Sequence, residues 1–316
     1  MKVIDLINSS KSTAFSFEIL PPLKGNSIQK VYNVIDKLIE FDPKYINITS
    51  HHSEYIYKTL PDGSFQKVNI RKRPGSVAIA SAIQNKYGIT AVPHIICKGF
   101  TKDETEYALI DLNFLGVYDL LLLRGDVKTL EAGQKTDIYH EHATDLQQQV
   151  NDFNKGIAID GSVFEANETP VSYGMACYPE KHEEAPNMES DIFYLKEKVK
   201  NGADYLVTQM FFDNEKYYAF VDRCRAEGIT VPIIPGIKPI VFKNQLTVLP
   251  KIFRSDIPEP FATELRKCKT DDEAKAVGVE WCIQQCKDLI AHGVPSLHFY
   301  TMMASDSVYK VAKEVY

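Results

Sequence analysis

The sequence predicts an α/β protein, a (β/α)8 TIM barrel with extra helices, and three observations carry that expectation. Strand-like apolar runs recur along the 316 residues. Each is followed by a stretch with apolar residues three and four apart, the period of an amphipathic helix. Such alternation builds a parallel sheet, because the chain crosses over through a helix to restart each strand in the same direction. Eight runs in a chain of this length suit a closed barrel, with an open doubly wound sheet as the rival. The sequence contains neither G-x-G-x-x-G nor G-x-x-x-x-G-K-[ST], so the usual phosphate cradles of open sheets are missing.

The runs are 14–20 AFSFEIL, 44–50 KYINITS, 90–97 TAVPHIIC, 117–124 VYDLLLLR, 171–178 VSYGMACY, 204–212 DYLVTQMFF, 231–237 VPIIPGI and 295–301 PSLHFYT. Helical periodicity is clear in 27–41 and 189–201. Gly88, Gly116, Gly202, Gly228 and Gly293 stand where helices should end before the next strand, a place that favours left-handed backbone. Segments 127–140 and 156–170, rich in Gly, Asp, Asn and Glu, read as long loops, and 242–291 holds additional helix. With no linker or low-complexity stretch, 1–316 reads as one barrel domain.

Composition narrows the function. The chain is 44% hydrophobic and 25% charged with a net charge of −6, so no basic face for nucleic acid is expected. Arg71-Lys72-Arg73 is the one basic cluster and reads as solvated. No apolar stretch approaches the roughly 20 residues that span a bilayer. The start MKVIDLINSSKS lacks a signal-peptide block. Six cysteines form no CxxC pair, and Cys282 and Cys286, one helical turn apart, read as helix packing. These features point to a reducing, cytoplasmic setting with no membrane partner. A homo-oligomer is compatible with the fold.

A barrel concentrates its chemistry at the C-terminal ends of its strands. Polar residues collect there: Glu18, then Thr49-Ser50-His51-His52, His94, Arg124-Gly125-Asp126, Tyr178 with Glu180, Gln209 and Tyr300. Structural polar residues would scatter between both ends. Glu18 interrupts the apolar run FSFEIL just before Pro21-Pro22, which suits a rigid turn at the mouth. Each residue also has a structural reading: a rim salt bridge for Glu18, a satisfied core imidazole for His94, mutual pairing for Arg124 and Asp126. His51-His52 and His140/His142 lack the spacing and carboxylates of a metal site, so no metal is expected.

Seven motifs in order, SFEILPP (16–22), PHIIC (93–97), LLLRGD (121–126), ACYPEKHEEA (176–185), TQMFFD (208–213), IIPGIKPI (233–240) and HFYT (298–301), resemble the methylenetetrahydrofolate reductase family. The length resembles the bacterial catalytic domain alone. The resemblance implies an FAD-containing barrel that reduces 5,10-methylenetetrahydrofolate to 5-methyltetrahydrofolate with NADH or NADPH. Hydride would pass to flavin and then to the one-carbon unit, in ping-pong order. Glu18 would be the general acid, kept protonated by desolvation and a nearby carboxylate. That carboxylate, Asp126, would stabilise the iminium form of the substrate. Asp126, Gln209, Gln245 and Tyr300 would meet the folate. Thr49, Ser50, His94, Arg124, Gly125, Asp126, His142, Ala143, Tyr178, His182, Ala185, Asp191 and Lys198 would hold FAD. The chain departs from the family pattern in several places, among them Leu249 where some members carry an aromatic and the TSHHS run after the second strand. Met302-Met303-Ala304 replaces an expected Leu-Asn-Arg, removing an arginine for the folate tail. Tyr194 and Glu197 stand where an amide and an arginine are expected near the FAD phosphates. His142 stands where tyrosine is frequent. Two other readings remain open: a different flavin barrel resembling proline dehydrogenase, and a barrel that binds folate without catalysis.

Overall fold

The computed structural model describes residues 1–51, 54–98, 100–125, 138–302 and 304–316. Helix α1 (Val3–Ser9) precedes β1 (Ala14–Ile19), α2 (Gln29–Leu38), β2 (Tyr45–Ile48), a hairpin of β3 (Glu54–Thr59) and β4 (Phe65–Ile70), and α3 (Ser76–Tyr87). Then come β5 (Thr90–Ile96), α4 (Lys102–Phe114), β6 (Asp119–Leu123), α5 (Ala143–Asn154), β7 (Ser172–Cys177), α6 (Met188–Lys200), β8 (Tyr205–Thr208) and α7 (Asn214–Ala226). The chain finishes with β9 (Ile233–Ile234), β10 (Gly236–Ile237), α8 (Gln245–Phe253), α9 (Glu259–Lys267), α10 (Asp271–Ala291), β11 (Ser296–Tyr300) and α11 (Ser305–Val315).

The parallel sheet runs β10-β11-β1-β2-β5-β6-β7-β8-β9. Its two ends, β9 and β10, are consecutive pieces of one run, so the sheet returns on itself and all eight expected runs are present. The 231–237 run is not one strand, however. Proline has no N–H for a ladder, and at Pro235 the chain changes partner. Ile233 and Ile234 pair with β8, whereas Gly236 and Ile237 pair with β11. Gly236 N–H turns to Thr208 Oγ1 at 2.9 Å, and Pro235 O accepts from His298 N at 3.1 Å. The expected strand 204–212 is also shorter, stopping at Thr208; Met210, Phe211 and Phe212 are buried beyond it in loop structure.

Strand alternation sorts the side chains. Phe15, Phe17 and Ile19 of β1 pack with Val31, Ile35 and Leu38 of α2 in the layer between strands and helices. Ser16 and Glu18, between them, take the opposite face, which is the barrel interior. A second apolar cluster fills the interior with Tyr45, Val92, Leu121, Tyr205, Val207 and Ile234, joined by Val3 and Ile7 of α1. Helix α1 therefore plugs the barrel floor, and Val3 N–H donates to Asp119 Oδ1 at 2.9 Å.

The glycine expectation holds at the helix ends, with Gly88 at φ +67° capping α3 and Gly202 at φ +108° just past α6. The region 242–291 supplies α8, α9 and all of α10 beside the barrel. Cys282 and Cys286 are buried on α10. Of the two expected loops, 156–170 carries a single antiparallel bridge between Ile157 and Val163. Most of 127–140 lies outside the described residues.

Candidate functional site

The mouth of the barrel is built by strand ends, and register sets which side chains share a level. Glu18 pairs with Tyr300 on one side and Asn47 on the other. Ile48 pairs with Pro93, which puts Thr49 level with His94. His94 pairs with Leu121 and Ile96 with Leu123, bringing Arg124 and Gly125 to the rim. Cys177 pairs with Thr208, so Tyr178 and Gln209 follow together.

Glu18 is 8% exposed. Burial in the apolar wall pushes its pKa up to about 7, and the nearby Lys238 ammonium pulls the other way. Lys238 directly follows β10 and is 4% exposed; burial lowers its pKa while Glu18 opposes that. In the sequence IIPGIKPI stands only as a family motif, and its lysine is not among the expected site residues, so sequence reasoning missed this countercharge. The signal was its place two residues after Gly236, on the face that alternation turns inward. The expected like-charge partner, Asp126, lies outside the described residues. Gly125 before it is at φ +81°, and a Cβ there would stand 3.3 Å from Ile96 Cβ.

Tyr300 donates its hydroxyl to Thr208 O at 2.5 Å, and burial raises its pKa. Gly236 makes room for that ring: a Cβ there would meet Tyr300 at 2.5 Å and the Thr208 carbonyl. Gln209 is half-buried at the rim, its Oε1 accepting from Met210 N at 2.9 Å. Gln245 stands at the start of α8, where its Oε1 accepts from Val241 N at 2.7 Å and Phe242 N at 3.1 Å. These bonds use its oxygen and not its amide nitrogen.

On the other side of the mouth, Ser50 Oγ donates to His94 O and meets Ser76 Oγ at 2.9 Å. Thr49 Oγ1 lies 3.1 Å from His51 Nε2. His94 is 5% exposed; burial, with His51 nearby, drives its pKa down to about 3, so the ring is neutral. Its Nε2 is buried without a hydrogen-bond partner among the described residues. Arg124 pairs with Glu184 and donates to Glu141 O at 3.2 Å. Tyr178 and His182 meet edge to face at 4.7 Å. Asp191 accepts from His182 N at 2.8 Å, and Lys198 donates to Ala176 O at 3.0 Å. Burial pushes the Lys198 pKa down, with Asp191 countering. Ala185 O accepts from Lys181 Nζ at 2.5 Å, a bond within the loop that follows β7. His142 and Ala143 open α5, with Ala143 packed on the core.

Some polar residues turn out to be structural. Glu180 accepts from Lys216 at 2.6 Å and from Asp256 N at 3.1 Å. His140 Nε2 sits 2.6 Å from Gln149 Oε1. Tyr194 is exposed, and Glu197 lies 3.9 Å from Lys200 on the same helix. Among the described residues, no group of three or more His, Cys, Asp or Glu gathers as a metal site would require. No helix among them is long and apolar enough to cross a membrane.

A family model described as methylenetetrahydrofolate reductase covers residues 2–316. A Caenorhabditis elegans protein named probable methylenetetrahydrofolate reductase (NADPH) is 30% identical over 99% of this chain and 43% of its own length. An Arabidopsis thaliana protein named methylenetetrahydrofolate reductase (NADH) 1 is 30% identical over 97% of this chain and 49% of its own. The chain thus spans about half the length of these two relatives. The Escherichia coli 5,10-methylenetetrahydrofolate reductase is 30% identical over 94% of this chain and 88% of its own. Among solved structures, an uncharacterized Clostridium thermocellum protein that binds two copies of 5-methyl-5,6,7,8-tetrahydrofolic acid shares the fold. Its TM-score is 0.54 at 15% identity, covering 98% of both chains. Oxaloacetate acetylhydrolase shares the fold at a TM-score of 0.50 and 12% identity, over 97% of this chain and 81% of its own. With the family model matching almost every residue, the chain belongs to the methylenetetrahydrofolate reductase family.

Proposed function

We propose that this chain reduces 5,10-methylenetetrahydrofolate to 5-methyltetrahydrofolate with NADH or NADPH through bound FAD, as one catalytic barrel over 1–316. The observation that carries the reading is a buried carboxyl at the barrel mouth whose proton is retained to about pH 7. The methylene bridge accepts hydride poorly while its five-membered ring is closed. Protonation of a ring nitrogen lets that C–N bond break, its electron pair going to the nitrogen, and leaves a reactive iminium carbon. Glu18 has the depth and proton affinity to supply that proton near neutral pH.

The residues fit a flavin dinucleotide. His94 Nε2 is an orphaned polar atom facing the barrel interior, suited to a polar edge of the ring system. Gly125, at φ +81°, turns the rim tightly against Ile96, and Arg124 with Lys198 would supply cations for the dinucleotide's phosphates. Thr49, Ser50, Tyr178, His182, Ala185, Asp191, His142 and Ala143 would complete that wall. Bound FAD supplies a two-electron carrier between nicotinamide and folate. Asp126, Gln209, Gln245 and Tyr300 would orient the pterin, and Asp126 would favour the positive charge on the opened substrate.

Half-reactions test the reading. Protein reconstituted with FAD is expected to be bleached by NADH or NADPH and reoxidised by methylenetetrahydrofolate. Glu18→Gln is expected to keep the first step and lower the second by at least about 100-fold. Equal slowing of both would remove Glu18 from the acid role. The relatives are named for both NADPH and NADH, so each nicotinamide is measured. A second reading, folate binding without reduction, is favoured by the Clostridium thermocellum structure with its bound folate. Protein that binds 5-methyltetrahydrofolate yet cannot be reconstituted with FAD would support it.

A further inference from the structure

Three neighbouring strands place Lys238, Tyr300 and Glu18 in one row. Gly236 pairs with His298 and Ile237 with Phe299, so Lys238 continues that register to the level of Tyr300. Tyr300 pairs in turn with Glu18. Alternation turns Ile237, Phe299 and Phe17 to the helix layer, where all three are fully buried, and leaves the row facing inward. The Tyr300 hydroxyl donates its hydrogen bond to Thr208 O. Lys238 is 4% exposed and forms no direct ion pair within 4.0 Å among the described residues. A buried ammonium without a close partner is costly, and the carboxyl that faces it is Glu18. Among the described residues, the other titratable groups around the row include Cys282 of α10, acting on Lys238, Tyr45, Cys177 and Tyr178, acting on Tyr300, and His298, whose ring meets that of Tyr300 at 5.4 Å.

We propose that Lys238 is a positioning residue for the folate half-reaction. Its ammonium sets the pH above which the Glu18 proton is no longer available to substrate. This rests on the acid role of Glu18 given above. In so dry a wall a lone carboxyl would hold its proton well above neutrality and give it up reluctantly. A cation at the same level weakens that hold, bringing the acid close to the pH at which transfer is most efficient. After Glu18 passes its proton to the ring nitrogen, the carboxylate stands beside Lys238 until water restores the proton.

The test compares wild type with Lys238→Met, Lys238→Arg and Glu18→Gln. The folate half-reaction is followed from pH 5 to 9, and the carboxyl C=O infrared band missing in Glu18→Gln is titrated without folate. Lys238→Met is expected to move both the alkaline limb of the folate step and the band's midpoint upward by about 1–2 pH units. Lys238→Arg should restore both towards wild type, and the limb of the nicotinamide step should not move. Lys238→Gln, which keeps a polar group without charge, serves in the same role if methionine is not accepted by the fold. An unmoved limb and band, with Glu18→Gln still defective in the folate step, overturns the role of Lys238 and leaves that of Glu18 standing. Slowing of both half-reactions without a shift in pH marks Lys238 as merely structural and overturns the proposal. If Glu18→Gln reduces folate normally, both roles fall.

Discussion

The apolar wall around Glu18 raises its affinity for a proton, and the same fact ties it to stability. Its pKa stands at about 7 in the folded chain, against an ordinary 4.5. Between those values the native state keeps a proton that the unfolded chain has released, so Glu18's contribution is full below pH 4.5 and is lost as pH rises through 7. In urea titrations without ligands, wild type is therefore expected to lose about 2–3 kcal/mol relative to Glu18→Gln between pH 5 and pH 8. Parallel pH dependence in the two proteins would mean that the carboxyl is hydrated. Glu18 was legible in the sequence, because a charge inside FSFEIL before two prolines has few structural reasons to be there. Lys238 was not. A lysine's long stem usually carries its charge to water, and only the alternation of a two-residue strand turns this one inward.

Among the elements, the seventh strand position carries the most constraint. Pro235 ends pairing with β8, and Gly236 begins pairing with β11, so one short segment closes the barrel. The run VPIIPGI showed an apolar strand, but the partner switch depends on which carbonyls and hydroxyls stand nearby. Gly236 lies under the Tyr300 ring, where an added Cβ would come within 2.5 Å. Gly236→Ala is expected to cost about 1–3 kcal/mol in denaturant unfolding. It should also break the Tyr300–Thr208 bond, seen as a changed tyrosine near-ultraviolet signal. An unaltered signal and stability would show that the ring has room to move. The β3–β4 hairpin was the element missed by the strand reading. Its turn chemistry was present, with Gly63 at φ +81° and Asp62 Oδ1 accepting from Ser64 N at 2.9 Å. The described side chains of its strands are mostly exposed, and the strands lack the long apolar run by which the barrel strands were found.

At the scale of the molecule, the barrel is plugged below and polar above. Helix α1 closes the floor through Val3 and Ile7, packed on the interior cluster. Asp119 fixes its start; burial pushes that carboxyl up to about 6, against the Val3 N–H bond, which favours the ionised form. Ile7→Ala, which empties part of the floor, is expected to destabilise the chain by about 2–4 kcal/mol. It should leave the pH profile of the folate step in place, because the site is at the other end. A shifted profile would mean that floor and mouth are coupled.

The sequence by itself determined the fold and its polar end. Strand and helix periods repeat eight times, and polar residues follow apolar runs at the same end of nearly every strand. Both are local patterns that no distant contact needs to supply. Family membership was legible for the same reason, since seven short motifs carry it in order. Only the tertiary structure decided which charge faces Glu18, that Arg124 pairs with Glu184, and that Glu180 is tied to Lys216 and Asp256. These pairings join residues far apart in the chain, and their strength depends on burial and register, which exist only once the strands have closed into a barrel.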